Sequence, residues 1–118
     1  MPDLPVIDPA TIENLRALSP DDNGEFLKEI SEMFLSDTPQ RIAELEQSMA
    51  AADVARFTRA AHSIKGSSAN LGASALQAAA AHLEHESRQA PLPSLQPLLD
   101  QLKAEFERAR VELQKLTA

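Results

Sequence analysis

Between Asp53 and Gly72, apolar and small residues fall at Val54, Phe57, Ala61, Ile64, Ser68 and Leu71, in alternating steps of three and four. That spacing marks one face of an α-helix and excludes a strand, whose side chains repeat every second residue. Asp53 stands where an N-cap accepts from free amides, and Gly72 where a C′ glycine ends a helix. Comparable signals recur along the chain. Asp8-Pro9 pairs a cap with Pro at the first helical position, and Ile7 and Ile12 have the spacing of a hydrophobic staple. This first helix carries Ile12, Leu15 and Leu18, with Pro20 helping to end it.

A second helix is expected from Asp22-Asn23, burying some of Phe26, Leu27, Ile30, Met33 and Phe34. Thr38-Pro39 repeats the cap-plus-Pro signal and predicts a third helix with Ile42, Leu45 and Met49 inward. After the Asp53 helix, Ser74 and Gln77 form a capping-box pattern for a fifth, with Leu76, Ala80 and Leu83 facing in. Pro91 and Pro93 break it. Ser94 is expected to cap the last helix, in which Leu95, Leu98, Leu102, Phe106, Ala109, Leu113 and Leu116 keep a heptad rhythm. Pro97 falls in its first turn, where no intrahelical N–H is lost. The expected fold is all-α: an antiparallel four-helix bundle with one or two short additional helices. Residues 1–7 read as a Pro-rich leader or linker, and residues 8–118 as one helical domain.

Composition narrows the function. Aromatics are 3% of the chain and glycines number three, which suits close-packed helices rather than hairpins. A net charge of −7 disfavours nucleic-acid binding, which needs a basic surface. The absence of cysteine excludes disulfides, a thiolate nucleophile and a Cys-based zinc site. With no 18-residue apolar run and no signal-peptide pattern, a cytoplasmic protein without membrane contact is expected.

One residue stands apart. At 100° per residue, His62 lies roughly 140° from the centre of its helix's apolar stripe, so it points to solvent. Most exposed histidines have no task, but the surroundings of this one differ. Gly66, one turn on, leaves bare backbone beside the imidazole at a cost of about 1 kcal/mol relative to Ala. Lys65 reaches the same patch and can offset negative charge. Residues 54–72 contain Arg56, Arg59 and Lys65 but no acid, although acids outnumber bases 18 to 11 in the whole chain. Such a stretch tolerates a phosphoryl group. Each feature alone has a bland counterpart: a solubilising Lys, a packing Gly, a chance gap in the acids.

The run His62-Ser63-Ile64-Lys65-Gly66-Ser67-Ser68-Ala69-Asn70-Leu71-Gly72 resembles the signature of the histidine-containing phosphotransfer (HPt) domain family. That signature is His, any residue, apolar, Lys, Gly, two small residues, two variable positions, apolar, Gly. The resemblance implies that His62 accepts a phosphoryl group, that Lys65 helps hold it and that Gly66 clears space for a partner. Ser67 and Ser68 correspond to the small positions. In this family a polar residue on the next helix, frequently Gln, steadies the imidazole; the corresponding place here holds Glu84. A carboxylate can accept from the ring but repels the phosphorylated form, so Gln77 and His85 are alternatives.

The resemblance further implies a phosphorelay intermediate acting on receiver domains of response regulators or hybrid sensor kinases. The phosphoryl group would come from one receiver's phospho-aspartate and pass to another receiver's aspartate. The chain has no P-loop, nucleotide loop or acidic metal cluster, so it is expected to be a carrier and not an enzyme, binding no cofactor itself. Mg²⁺ and most catalytic groups are expected in the receiver. Thr58, Arg59 and Ala69 flank His62 as partner-facing positions, some of Phe26, Leu27, Met33 and Leu35 are candidates for a docking patch, and a monomer is expected. Two other readings compete: a helical adaptor that is never phosphorylated, and a metal-binding bundle using His82, His85 and Glu86. A kinase-attached phospho-accepting domain of the chemotaxis type shares the exposed histidine.

Overall fold

Five α-helices make up the chain in a computed structural model that describes residues 4–117: α1 (Pro9–Leu18), α2 (Glu25–Ala50), α3 (Val54–Leu71), α4 (Ser74–Ser87) and α5 (Gln96–Leu116). A 3₁₀ turn, Leu92–Leu95, leads into α5. Residues 51–53 join α2 to α3, and residues 72–73 join α3 to α4, so consecutive helices pack antiparallel. Around the bundle α2 packs on α3, α3 on α4, α4 on α5, and α5 closes back on α2. The short α1 lies against α2 and α3. An all-α bundle of four helices with short additions is therefore the fold.

Its core is aliphatic. Leu45, Phe57, Ile64, Leu83, Leu102 and Leu113 are fully buried, with Leu27, Leu76 and Leu99 nearly so. Phe34 of α2 meets Phe106 of α5 with ring centroids 5.8 Å apart and planes tilted by 50°, within the range of favourable aromatic pairs. Along α3 the expected stripe is buried from Phe57 to Leu71, together with Ala60, but Val54 in the first turn is exposed. In α5 the seam runs through Leu99 rather than Leu98, which is only half-buried.

Three expected helix starts are displaced. No helix begins at Thr38-Pro39, because α2 runs unbroken through Pro39. Proline denies the carbonyl of Leu35 its intrahelical donor and normally costs about 3 kcal/mol. Here Leu27 and Phe34 before it, and Ile42 and Leu45 after it, lie on one buried face, and that packing overrides the local signal. Gln40 Nε2 donates to the Ser36 carbonyl at 3.3 Å, one residue beyond the carbonyl that Pro39 leaves without its intrahelical donor. Ser74 and Gln77 form no capping box. Ala73 is the N-cap and its carbonyl already accepts from the Gln77 amide, at 2.8 Å, so the helix starts one residue too early for the motif. Ser94 does not cap α5 either; it lies in the 3₁₀ turn, anchored by buried Leu92 and Leu95, and its hydroxyl donates to the Pro91 carbonyl at 2.6 Å.

Residues 1–3 of the expected leader fall outside the described residues. Its remainder is tied to the α3–α4 corner: the Ala75 amide donates to the Pro5 carbonyl at 3.1 Å, and Val6 and Ile7 pack on the core. Next to it, the Asp8 amide donates to the Gly72 carbonyl at 2.7 Å. Among the described residues no helix is long and apolar enough to cross a membrane.

Candidate functional site

The buried side of α3 fixes which residues face outward. Phe57, Ala61, Ile64, Ser68 and Leu71 are locked in the core, leaving His62 on the opposite side with 66% of its side chain exposed. Its Nδ1 lies 2.8 Å from Oε2 of Glu84, across the seam on α4. An ionised carboxylate offers only lone pairs, so Nδ1 carries the hydrogen and donates. Nε2 has no hydrogen-bond partner among the described residues, so in the neutral ring its lone pair is unengaged. The neutral ring is thereby held in one tautomer, with one nitrogen available as a nucleophile.

Glu84 is the hub of this arrangement. Only 5% exposed, it accepts from Lys65 Nζ through Oε1 at 2.6 Å, and from Arg88 Nη2 through Oε2 at 3.2 Å. Its carboxyl is held below the usual carboxylate range, chiefly by the Lys65 bond and then, against the opposing effect of burial, by the bond from His62. Beneath it, the Ser87 hydroxyl donates to the Glu84 carbonyl at 2.7 Å, so the 2.7 Å contact from Thr58 on α3 is a donation onto Ser87 Oγ. Thr58, expected to face a partner, is half-buried and spends its hydroxyl in this brace between α3 and α4.

The other expected residues are distributed around this centre. Gly66 is exposed in mid-helix, and a Cβ added there meets nothing within 4 Å. Packing within the chain thus gives no reason for a glycine. Arg59 and Ala69 are exposed on the His62 side of α3. Ser67 turns back on its own helix, its hydroxyl donating to Ser63 at 3.1 Å, whereas Ser68 is buried in the core. Gln77 makes no side-chain hydrogen bond among the described residues, and His85 is exposed beside Gln89, 3.1 Å from its amide nitrogen. Of the three candidates for steadying the ring, Glu84 is the one in contact with it. His82 and Glu86 approach only to 3.8 Å, and no three potential metal ligands converge among the described residues. Of the proposed docking residues, Leu27 is core, Phe26 and Leu35 are half-buried, and Met33 is 69% exposed. Met33 lines an open apolar groove with Leu15, Phe26, Ile30 and Leu71, which reaches α3 at Ser67 and Asn70, beyond Gly66.

Arg88 and Ser87 were not singled out in the sequence. Arg88 lies four residues after Glu84 and so on its face of α4, a signal that gains meaning only once Glu84 is known to face His62. Ser87 has no comparable signal.

A family model described as the Hpt domain matches residues 29–112, which include every residue of this cluster. The chain belongs to the Hpt domain family. The crystal structure of histidine-containing phosphotransfer protein B from Pseudomonas aeruginosa PAO1 superposes with a TM-score of 0.83, covering 98% of this chain and 96% of that one at 26% identity. The HPT domain of a sensor hybrid histidine kinase from Shewanella shares the fold, with a TM-score of 0.70 over 89% of this chain and 90% of that one, at 19% identity. No curated protein sequence matches significantly. As an Hpt domain the chain has a phosphotransfer role in two-component signalling, and it is a phosphocarrier rather than an enzyme with its own catalytic site.

Proposed function

We propose that this Hpt domain accepts a phosphoryl group on Nε2 of His62 from the phospho-aspartate of one receiver domain and passes it to the aspartate of another. The observation that carries the proposal is an exposed imidazole whose inner nitrogen is tied to Glu84 and whose outer nitrogen is free. Nε2 attacks phosphorus in line, the aspartate carboxylate leaves with the P–O electron pair, and the reverse step regenerates an acyl phosphate. Lys65 supplies positive charge next to the incoming group, and exposed Gly66, without a Cβ, lets the receiver surface approach the ring. Arg59 and Ala69 face the partner from α3, and the groove around Met33 offers it apolar area. The chain itself binds no cofactor in this reading; Mg²⁺ belongs to the receiver, where it neutralises the transferring charge. One accepting histidine per bundle suits a monomer.

Incubation with a panel of phosphorylated receiver domains tests this. Label is expected on the wild-type chain and none on His62→Gln, whose fold should be unchanged because the ring is exposed. Label retained on the variant refutes the assignment.

A further inference from the structure

Resting on the reading of His62 as the phosphoryl acceptor, we propose that Glu84 is a positioning residue that retains the His62 Nδ1 proton throughout the transfer cycle. The phosphorylated ring then stays cationic, and what leaves on onward transfer is a neutral imidazole.

The electron count makes the proton matter. Before transfer, Nδ1 bears hydrogen and donates to Glu84 Oε2 at 2.8 Å, while Nε2 holds the lone pair. When that pair forms the N–P bond and the acyl-phosphate P–O bond breaks, the ring becomes an N-phosphoryl imidazolium still bearing hydrogen on Nδ1. On onward transfer an aspartate oxygen attacks phosphorus and the N–P pair returns to Nε2. If the Nδ1 proton has stayed, the departing group is neutral imidazole. If it has been lost to solvent, the departing group is an imidazolate anion, which is far more basic and leaves far more slowly. A carrier that is to discharge as readily as it charges must keep that proton.

Three features suit Glu84 to the task. It is a full negative charge in a largely desolvated place, where its attraction for an imidazolium exceeds that of a neutral amide carbonyl accepting the same bond. It does not take the proton itself, because the bond from Lys65 on α3, and then the one from His62, hold its carboxyl below the usual carboxylate range, with Arg88 of α4 a further cation at 3.2 Å. No charged side chain of α5 or of the preceding 3₁₀ turn pairs with it among the described residues. The same two cations also offset the repulsion between the carboxylate and an arriving phosphoryl group. Finally, the Thr58–Ser87 brace fixes the Glu84 backbone, so the acceptor stays at hydrogen-bond distance as the ring changes charge.

The test uses the whole chain, ¹⁵N-labelled at histidine and phosphorylated chemically with potassium phosphoramidate, so that loading needs no receiver. Ring nitrogen shifts are followed by NMR from about pH 6 to about pH 10. Phosphorylated His62 is expected to lose its Nδ1 proton about one pH unit or more above free phosphohistidine, a tenfold gain in proton affinity. Glu84→Gln is expected to bring that titration back towards the free compound. Its onward transfer to an unphosphorylated receiver should then fall about tenfold per pH unit on the alkaline side, where the wild type stays level. A wild-type ring titrating with free phosphohistidine overturns the proposal without any variant, and so does a Glu84→Gln titration matching the wild type. Failure of every receiver to exchange phosphoryl with the chain, while the chemically loaded ring titrates as expected, overturns the carrier reading and leaves the proton-holding role of Glu84 standing.

Discussion

Two glycines lie on or at the end of α3, six residues apart, and the chain needs them for opposite reasons. Gly72 ends the helix with φ at +72°, in the left-handed region, and a Cβ built there comes within 2.6 Å of Thr11 on α1. Its carbonyl receives the Asp8 amide, and Asp8 in turn caps α1 and accepts from the Thr11 hydroxyl. That end of α3 is shaped by contacts inside the molecule. Around Gly66 nothing inside the molecule asks for a glycine, and the helix bears its propensity cost without internal compensation. The reason proposed for Gly66 is a receiver surface approaching from outside, which is what its substitution tests.

The largest effect that could break this contrast is expected at the helix end. Gly72→Ala should lose about 2–4 kcal/mol of stability in denaturant unfolding, from left-handed strain together with the overlap on α1. A loss below about 1 kcal/mol would mean that α1 simply moves aside. A double-mutant cycle sharpens the point: on a Thr11→Gly background the same change should cost about 1–2 kcal/mol less, because the overlapping side chain is gone. In mid-helix the sign reverses. Gly66→Ala should raise stability by about 0.5–1 kcal/mol while slowing phosphoryl exchange with receivers. Exchange at the wild-type rate would remove the external explanation.

The smallest effect is expected from acid. The folded-state pKa of Glu84 is lowered, so its contribution to stability is present above the unfolded carboxylate value of about 4.3 and is lost as pH falls through the lower folded-state value. Wild type and Glu84→Gln should therefore converge in unfolding midpoint on acidification below that range. The gap at neutral pH should be modest, because Lys65 and Arg88 are 33% and 63% exposed and their ion pairs are screened. A gap that persists unchanged into acid would show that the Glu84 ion pairs do not contribute.

Much of this was legible in the sequence, because helix periodicity, the Asp8 and Asp53 caps and the Gly72 stop are local signals that the tertiary structure leaves intact. The outward face of His62 followed from the same periodicity. What local rules misjudged were places where long-range packing outweighs them. Thr38-Pro39 has every mark of a helix start, yet the buried stripe from Leu27 to Leu45 carries α2 straight through it. Pairings across the α3–α4 seam, Glu84 with Lys65 and Thr58 with Ser87, have sequence separations of 19 and 29 residues. They depend on how two helices are rotated against each other, which no pattern within either one specifies.

The passage of α2 through Pro39 carries a mechanical implication. Twenty-six residues of unbroken helix would be a stiff rod joining the α1 end of the bundle to the connection at residues 51–53. With one rung of the ladder missing near its middle, the rod has a soft point where it can bend without unwinding either half.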